Sequence, residues 1–117
     1  MAGARMRRIN EVLREVVGAA IASDLSDPRI GFVTVTSVET SPDLRTAKVY
    51  VSVLGSEEER EATLQGLRSS RGVVQQRIAA ETRMKRTPTL TFHYDDTIEQ
   101  GVRISRLLED EPGEERE

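Results

Sequence analysis

Cysteine and tryptophan are absent from these 117 residues, and there is one histidine, His93. Without cysteine there can be no disulfide framework, no thiolate nucleophile and no Cys-based metal site. A lone histidine leaves no His pair for a metal and little for a Ser–His mechanism. No stretch approaches the roughly 18 consecutive apolar residues that would span a bilayer, and no signal-peptide pattern opens the chain. The expectation is a soluble, cytoplasmic protein with no membrane partner. There is no Gly-Lys-Ser/Thr phosphate loop and no metal-spaced His or Cys pair, so no cofactor, metal or small-molecule substrate is expected. Aromatics are scarce. Phe32, Tyr50, Phe92 and Tyr94 all lie in strand-like segments, where a core role is expected. As a platform for stacking single-stranded bases they would be thin.

One constellation could support chemistry, Asp95-Asp96 next to His93. Paired carboxylates can hold a metal or act as acid and base. Adjacent strand residues point to opposite faces, however, and Asp-Asp before Thr97 is common turn and cap chemistry. The chain therefore reads as a binding protein and not as an enzyme.

The charge present is segregated. The net charge is −3, from 17 basic and 20 acidic side chains. Residues 109–117 hold six of the acids and one base, Arg116; setting them aside leaves 14 acidic and 16 basic side chains, a body of +2. Arg60 to Arg86 carries seven cations against Glu61 and Glu81, and the start adds Arg5, Arg7, Arg8 and Arg14 against Glu11. A basic domain with an acidic tail suits a polyanion. Arginine outnumbers lysine throughout, since only Lys48 and Lys85 are lysines, so the clustering carries this argument and not the arginine count.

The length fits one domain with one modest core. Ile9, Val12, Leu13, Val16, Val17, Ala20 and Ile21 repeat at helical spacing and predict a helix over 6–24, stopped by Asp27-Pro28. Phe32 to Thr40 and Arg45 to Leu54 predict two strands, joined by Ser41-Pro42-Asp43 as an antiparallel hairpin. Ser56-Glu57-Glu58-Glu59 is a capping box that opens another helix. That helix runs to about Ser69, breaks, and resumes from Gly72 to about Met84. Thr89 to Tyr94 alternates into a third strand. Thr97 is placed to cap a short last helix through Leu108, and residues 109–117 are expected to be disordered. Residues 1–108 thus form one α+β domain, α-β-β-α-kink-α-β, with a three-stranded sheet covered by helices on one face.

The break is the most informative stretch. Leu64, Leu67, Val74 and Ile78 keep one apolar stripe across it, while Ser69, Ser70 and Gly72 loosen the helix between them. Free amides at a kink, flanked by cations, make a cradle for phosphate. Alone, the segment reads as an ordinary helix–helix turn; the surrounding charge favours the cradle. The candidate phosphate-binding residues are Arg68, Ser70, Arg71, Gly72 and Arg77 around the kink, Arg83, Lys85 and Arg86 beyond the second half-helix, and Arg7 and Arg8 at the start. Arg45 and Lys48 are weaker candidates, and Arg14 is expected to pair with Glu11 or Glu15.

A resemblance to a known family covers roughly residues 5 to 108. It is carried by Arg7-Arg8-Ile9-Asn10, by Leu25-Ser26-Asp27-Pro28-Arg29 with Gly31, and by residues 33–44 ending in Ser41-Pro42-Asp43-Leu44. It continues through Ala47 to Val53, Gly72, Met84-Lys85-Arg86-Thr87-Pro88, Leu90-Thr91-Phe92 and Tyr94-Asp95-Asp96. In these features the chain resembles the ribosome-binding factor A family. The resemblance implies a type II KH-like domain whose GxxG loop is replaced by an interhelical kink of Ala-x-Gly type, here Ser70-Arg71-Gly72. It implies binding to the small (30S) ribosomal subunit and its rRNA late in assembly. It also implies help with processing of the 16S rRNA 5′ end, most important in the cold. A protein that binds one rRNA conformer better shifts the population toward it without bond chemistry. A general single-stranded RNA-binding KH-like module is the alternative. The chain is expected to act as a monomer.

Overall fold

The computed structural model describes residues 3–97 and 101. The elements follow in the order α1 (Gly3–Ser23), β1 (Phe32–Thr40), β2 (Thr46–Leu54), α2 (Glu57–Ser69), α3 (Arg71–Glu81) and β3 (Thr89–Tyr94). The predicted α+β order is met, and helices cover one face of a three-stranded sheet. The expected last helix beyond Thr97 and the acidic segment 109–117 lie outside the described residues.

Strand order is β1-β2-β3, with β2 central, antiparallel to β1 and parallel to β3. A parallel neighbour requires a crossover, and α2 with α3 supplies it. Val35 and Val38 both face the core although three residues apart, because the register shifts between Val35 and Ser37. The extra residue is what lets Val33-Val35 and Val38-Thr40 point to the same side. Ala47, Val49 and Val51 of β2 and Leu90 and Phe92 of β3 complete the inner face. Leu13, Val17 and Ala20 of α1, Leu67 of α2, and Val74 and Ile78 of α3 close over it.

Ser56 caps α2 as expected: Glu59 N donates to Ser56 Oγ at 3.1 Å, and Ser56 N donates to Glu59 Oε1 at 2.7 Å. Gly66 is where α2 needs glycine. A Cβ there would stand 2.8 Å from Ile30 Cγ1 and 3.4 Å from Arg29 Cβ. The α2–α3 break falls on Ser70 alone (φ −97°, ψ 9°), and α3 restarts at Arg71. It ends at Glu81, three residues short of the expected Met84. Thr82 turns extended, and its hydroxyl donates to Ile78 O at 2.8 Å. Residues 83–86 therefore leave the helix as a connecting strap. Arg14 pairs with Glu11, as expected.

Two aromatic expectations are corrected. Phe92 is core, but Phe32 is 79% exposed and Tyr50 lies on the outer face of the sheet. Because the side chains of a strand alternate, the inward set Val49 and Val51 forces Tyr50 outward. There it meets His93, with ring centroids 5.5 Å apart. Thr97 N donates to Asp95 Oδ1 at 3.0 Å; the helix that Thr97 is expected to cap lies outside the described residues.

Candidate nucleic-acid interface

Apart from Arg77 in its body and Arg7 and Arg8 on α1, the candidate cations fall near the two ends of α3. Eleven residues at 1.5 Å rise separate those ends by about 16 Å. α3 packs antiparallel to α1. Its start, at Ser70 and Val73, lies beside Asp24 at the α1 exit, and its end lies near Ile9 at the α1 entry.

Around Ser70 and along α3 the cations are largely neutralised within the protein. Arg77 Nη1 donates to Asp24 Oδ1 and Oδ2 at 3.0 and 3.1 Å, and its Nε donates to Glu81 Oε2 at 2.5 Å. These bonds hold the Arg77 guanidinium above its ordinary pKa, Glu81 contributing most. Arg68 Nη2 donates to the Phe92 carbonyl at 3.3 Å, and its Nη1 lies 3.8 Å from Glu61. Arg29, which was not a candidate, bonds Asp27 through its backbone N, Nε and Nη2 and reaches Ser69 Oγ at 3.0 Å. Hydrogen bonds from Arg29 push the Asp27 carboxyl down to about 2. Arg71 is half-buried, and its Nε is buried without a partner. Ser70 places no side-chain cap on α3. Gly72 is exposed, and a Cβ there would meet nothing within 4 Å. Gly72 is therefore not required for packing among the described residues.

The other end is different. A groove of about 770 Å³ lies between the start of α1, the β1–β2 turn and the strap after α3. Arg5 and Arg8 come from α1, Arg45 from the turn, and Arg83, Lys85 and Arg86 from the strap. Among the described residues, Asp43 is the one acid lining it. Its carboxylate is committed to the turn: Ser41 Oγ donates to Asp43 Oδ1 at 2.7 Å, and Arg45 N donates to the same oxygen at 3.1 Å. Those bonds hold Asp43 below the usual carboxylate range, the Ser41 hydroxyl first. Arg45 Nε stands 3.9 Å from Asp43. Among the described residues, Arg5, Arg8, Arg83, Lys85 and Arg86 make no ion pair. Arg7 is also exposed and without an ion pair among them, but it does not line the groove.

Sequence reasoning named Arg8, Arg83, Lys85 and Arg86 without placing them together, and it missed Arg5 and undervalued Arg45. The signal that could have found Arg45 is its place directly after Ser41-Pro42-Asp43-Leu44, a turn that carries the following residue to the end of the sheet. The acid-base reading of Asp95 meets a structural role instead. Thr36 Oγ1 donates to Asp95 Oδ2 at 2.6 Å and keeps that carboxyl below its ordinary pKa. Among the described residues no group of three acidic or histidine side chains is placed to hold a metal, and no helix among them is long and apolar enough to cross a membrane.

The groove's geometry can be set beside known proteins. The sequence profile described as "Ribosome-binding factor A" matches residues 5–108. A curated protein of that name from Halothermothrix orenii is 45% identical over 104 residues, covering 89% of this chain and 85% of that one. Among solved structures, the solution structure of a Thermotoga maritima protein described as a ribosome-binding factor A matches with a TM-score of 0.71 and 35% identity. That match covers 80% of this chain and 88% of the other. The crystal structure of ribosome-binding factor A from Thermus thermophilus gives a TM-score of 0.68 at 28% identity, covering 76% of this chain and 94% of that one. A homology model of the T. thermophilus protein, fitted into a cryo-EM map of a 30S complex with ribosome-binding factor A, gives a TM-score of 0.62 at 29% identity, covering 74% of this chain and 91% of that one. With a profile matched across nearly all of the described domain and a relative at 45% identity, the chain belongs to the ribosome-binding factor A family.

Proposed function

We propose that this chain binds the small ribosomal subunit through phosphates of its rRNA, with the groove at the α1 entry as the principal contact. The observation that carries the reading is the convergence of Arg5, Arg8, Arg83, Lys85 and Arg86, none of them paired within the described residues, around one cavity. Arginine grips phosphate with parallel hydrogen bonds and stays charged at any working pH. The 30S complex of the T. thermophilus relative supports the choice of partner.

The kink supplies a second, weaker contact in this reading. Ser70 leaves the first amides of α3 without a side-chain cap, and Gly72 is open to close approach by a backbone. Arg71 is the cation there with an unsatisfied nitrogen. Arg68 and Arg77 contribute less, because breaking their internal bonds offsets any gain from phosphate. The element order, with β3 parallel to β2, supports a type II KH-like domain with Ser70-Arg71-Gly72 in place of GxxG.

Binding of this kind acts on rRNA without catalysis. A factor that grips one arrangement of phosphates stabilises the conformer that presents it. We take that conformer to be one reached late in subunit assembly, whose stabilisation assists processing of the 16S rRNA 5′ end and matters most in the cold. Among the described residues, Tyr50–His93 is the one outward ring pair on the sheet, which weighs against a general reader of single-stranded bases.

The experiment is a salt titration of affinity for purified small subunits. If the five groove cations each touch a phosphate, log affinity falls against log salt with a slope of about −3.5 to −4.5. Replacing Arg83, Lys85 and Arg86 by Gln removes about 2 to 3 from that slope. An unchanged slope rejects the groove as the phosphate site.

A further inference from the structure

The groove has a floor as well as a rim, and phosphate alone does not account for it. Ile9 and Val12 of α1, Leu44 of the turn and Met84 of the strap also line it, and Ile9, Leu44 and Met84 are half-buried while the cations around them are exposed. Val12 is 42% exposed there, on a helix that buries Leu13, Val16, Val17, Ala20 and Ile21. Leu44 adopts φ +61°, the left-handed region that favours glycine and asparagine. A branched apolar side chain is costly in that conformation, and it persists only where surrounding bonds enforce it. Here Leu44 N donates to Ser41 O at 2.9 Å and Thr46 N donates to Ser41 Oγ at 3.1 Å. The turn thus holds a leucine at the groove in a conformation that Asn would adopt more readily. Met84, between Arg83 and Lys85, gives a flexible, polarisable surface between two cations.

An apolar floor ringed by unpaired cations matches a ligand with a flat apolar face and negative charge on either side of it. Resting on the rRNA reading above, we propose that the groove takes an unstacked nucleotide of rRNA. The base lies on Val12, Leu44 and Met84, and the flanking phosphates lie on Arg83, Lys85, Arg86 and Arg8. A fully paired backbone would use the rim and leave the floor wet. The site is at the end of α3 opposite Ser70, so it is separate from the kink.

The test compares two RNA hairpins with equal phosphate counts, one fully paired and one with a three-nucleotide bulge, titrated with the full chain at fixed salt. Wild type binds the bulged hairpin about tenfold more tightly, the scale of covering one face of a base. Leu44→Asn, which suits the left-handed backbone and so keeps the turn, loses that preference while retaining the salt slope on both RNAs. Val12→Asn, on the helix surface, does the same. An unfolding midpoint at or above wild type for Leu44→Asn verifies that its fold is intact. Equal wild-type affinity for the two hairpins, or a Leu44→Asn variant that keeps the preference, overturns the proposal while leaving the phosphate reading in place. A synthetic peptide of residues 104–115, which carries leucines beside acids, is titrated as a third probe. Tighter binding of that peptide than of the bulged hairpin makes the groove a protein-docking site and also overturns the proposal. Failure to bind either RNA removes the underlying reading and this proposal with it.

Discussion

Gly66 and Gly72 are predicted to respond to alanine in opposite directions. At Gly66, on the buried face of α2, a Cβ would fall 2.8 Å from Ile30 Cγ1, with Arg29 Cβ and Asp27 Cγ both at 3.4 Å. Ile30 can shift only by pushing on the 27–31 loop, where Arg29 and Thr63 are bonded: Gly31 N donates to Thr63 Oγ1 at 3.1 Å, and the Thr63 hydroxyl donates to Arg29 O at 3.3 Å. Overpacking of this kind costs about 1–3 kcal/mol. The better helix propensity of alanine offsets about 1 kcal/mol of it. Gly66→Ala should therefore be neutral at best and lose up to about 2 kcal/mol. At Gly72 nothing lies within 4 Å, and φ is not in the left-handed region. Gly72→Ala should gain about 0.5–1 kcal/mol, a rise of several degrees in Tm for a domain of this size. Urea unfolding of both variants, followed by circular dichroism, reads the difference directly. A Gly72→Ala variant less stable than wild type would refute the geometry of the α3 start. If Gly72→Ala is stabilised yet binds small subunits more weakly, glycine serves the ligand there and not the fold.

Removing the α2 cap with Ser56→Ala should cost about 1 kcal/mol in urea unfolding without altering subunit binding. Asp27 is held near a pKa of about 2 by Arg29, below the ordinary 3.8, so its contribution to stability is fully present above pH 4 and is lost as pH falls through about 2. Asp27→Asn should flatten that part of the acid-unfolding curve, and an unchanged curve would contradict the pairing. Arg77→Gln should lower the thermal midpoint, because it unties α3 from the end of α1 at Asp24, and should leave the salt slope of RNA binding near wild type. A large loss of slope with an unchanged midpoint would return Arg77 to the binding site.

How far the sequence spoke depended on how local each feature is. The capping box needs only Ser56 and Glu59, three residues apart, and it was legible. The α1 stripe and the alternation in β2 and β3 were legible for the same reason. The end of α3 was not, because Thr82 stops it with its own hydroxyl, a choice that helix propensity does not register. The parallel placement of β3 beside β2 is set by the crossover and leaves no trace in the alternation of Thr89 to Tyr94. Tyr50 could be placed on the face with Lys48 and Ser52, yet the exposure of that face followed only from α1, α2 and α3 lying on the other side. The site was legible as a set of cations and illegible as a place. Arg77 is 53 residues from Asp24 along the chain, and Arg8 is 75 from Arg83. Only the fold tells a cation tied to an acid from one facing a groove.

The central claim is that the groove cations, more than those at the kink, hold the small subunit. Density-gradient sedimentation of cell extract tests it most directly, comparing wild type with an Arg83→Gln, Lys85→Gln, Arg86→Gln variant and with Arg68→Gln, Arg77→Gln. The account predicts that wild type and the kink-side variant travel with free small subunits, while the groove variant stays at the top of the gradient. Cosedimentation of the groove variant at the wild-type level, with the kink-side variant released instead, would contradict it.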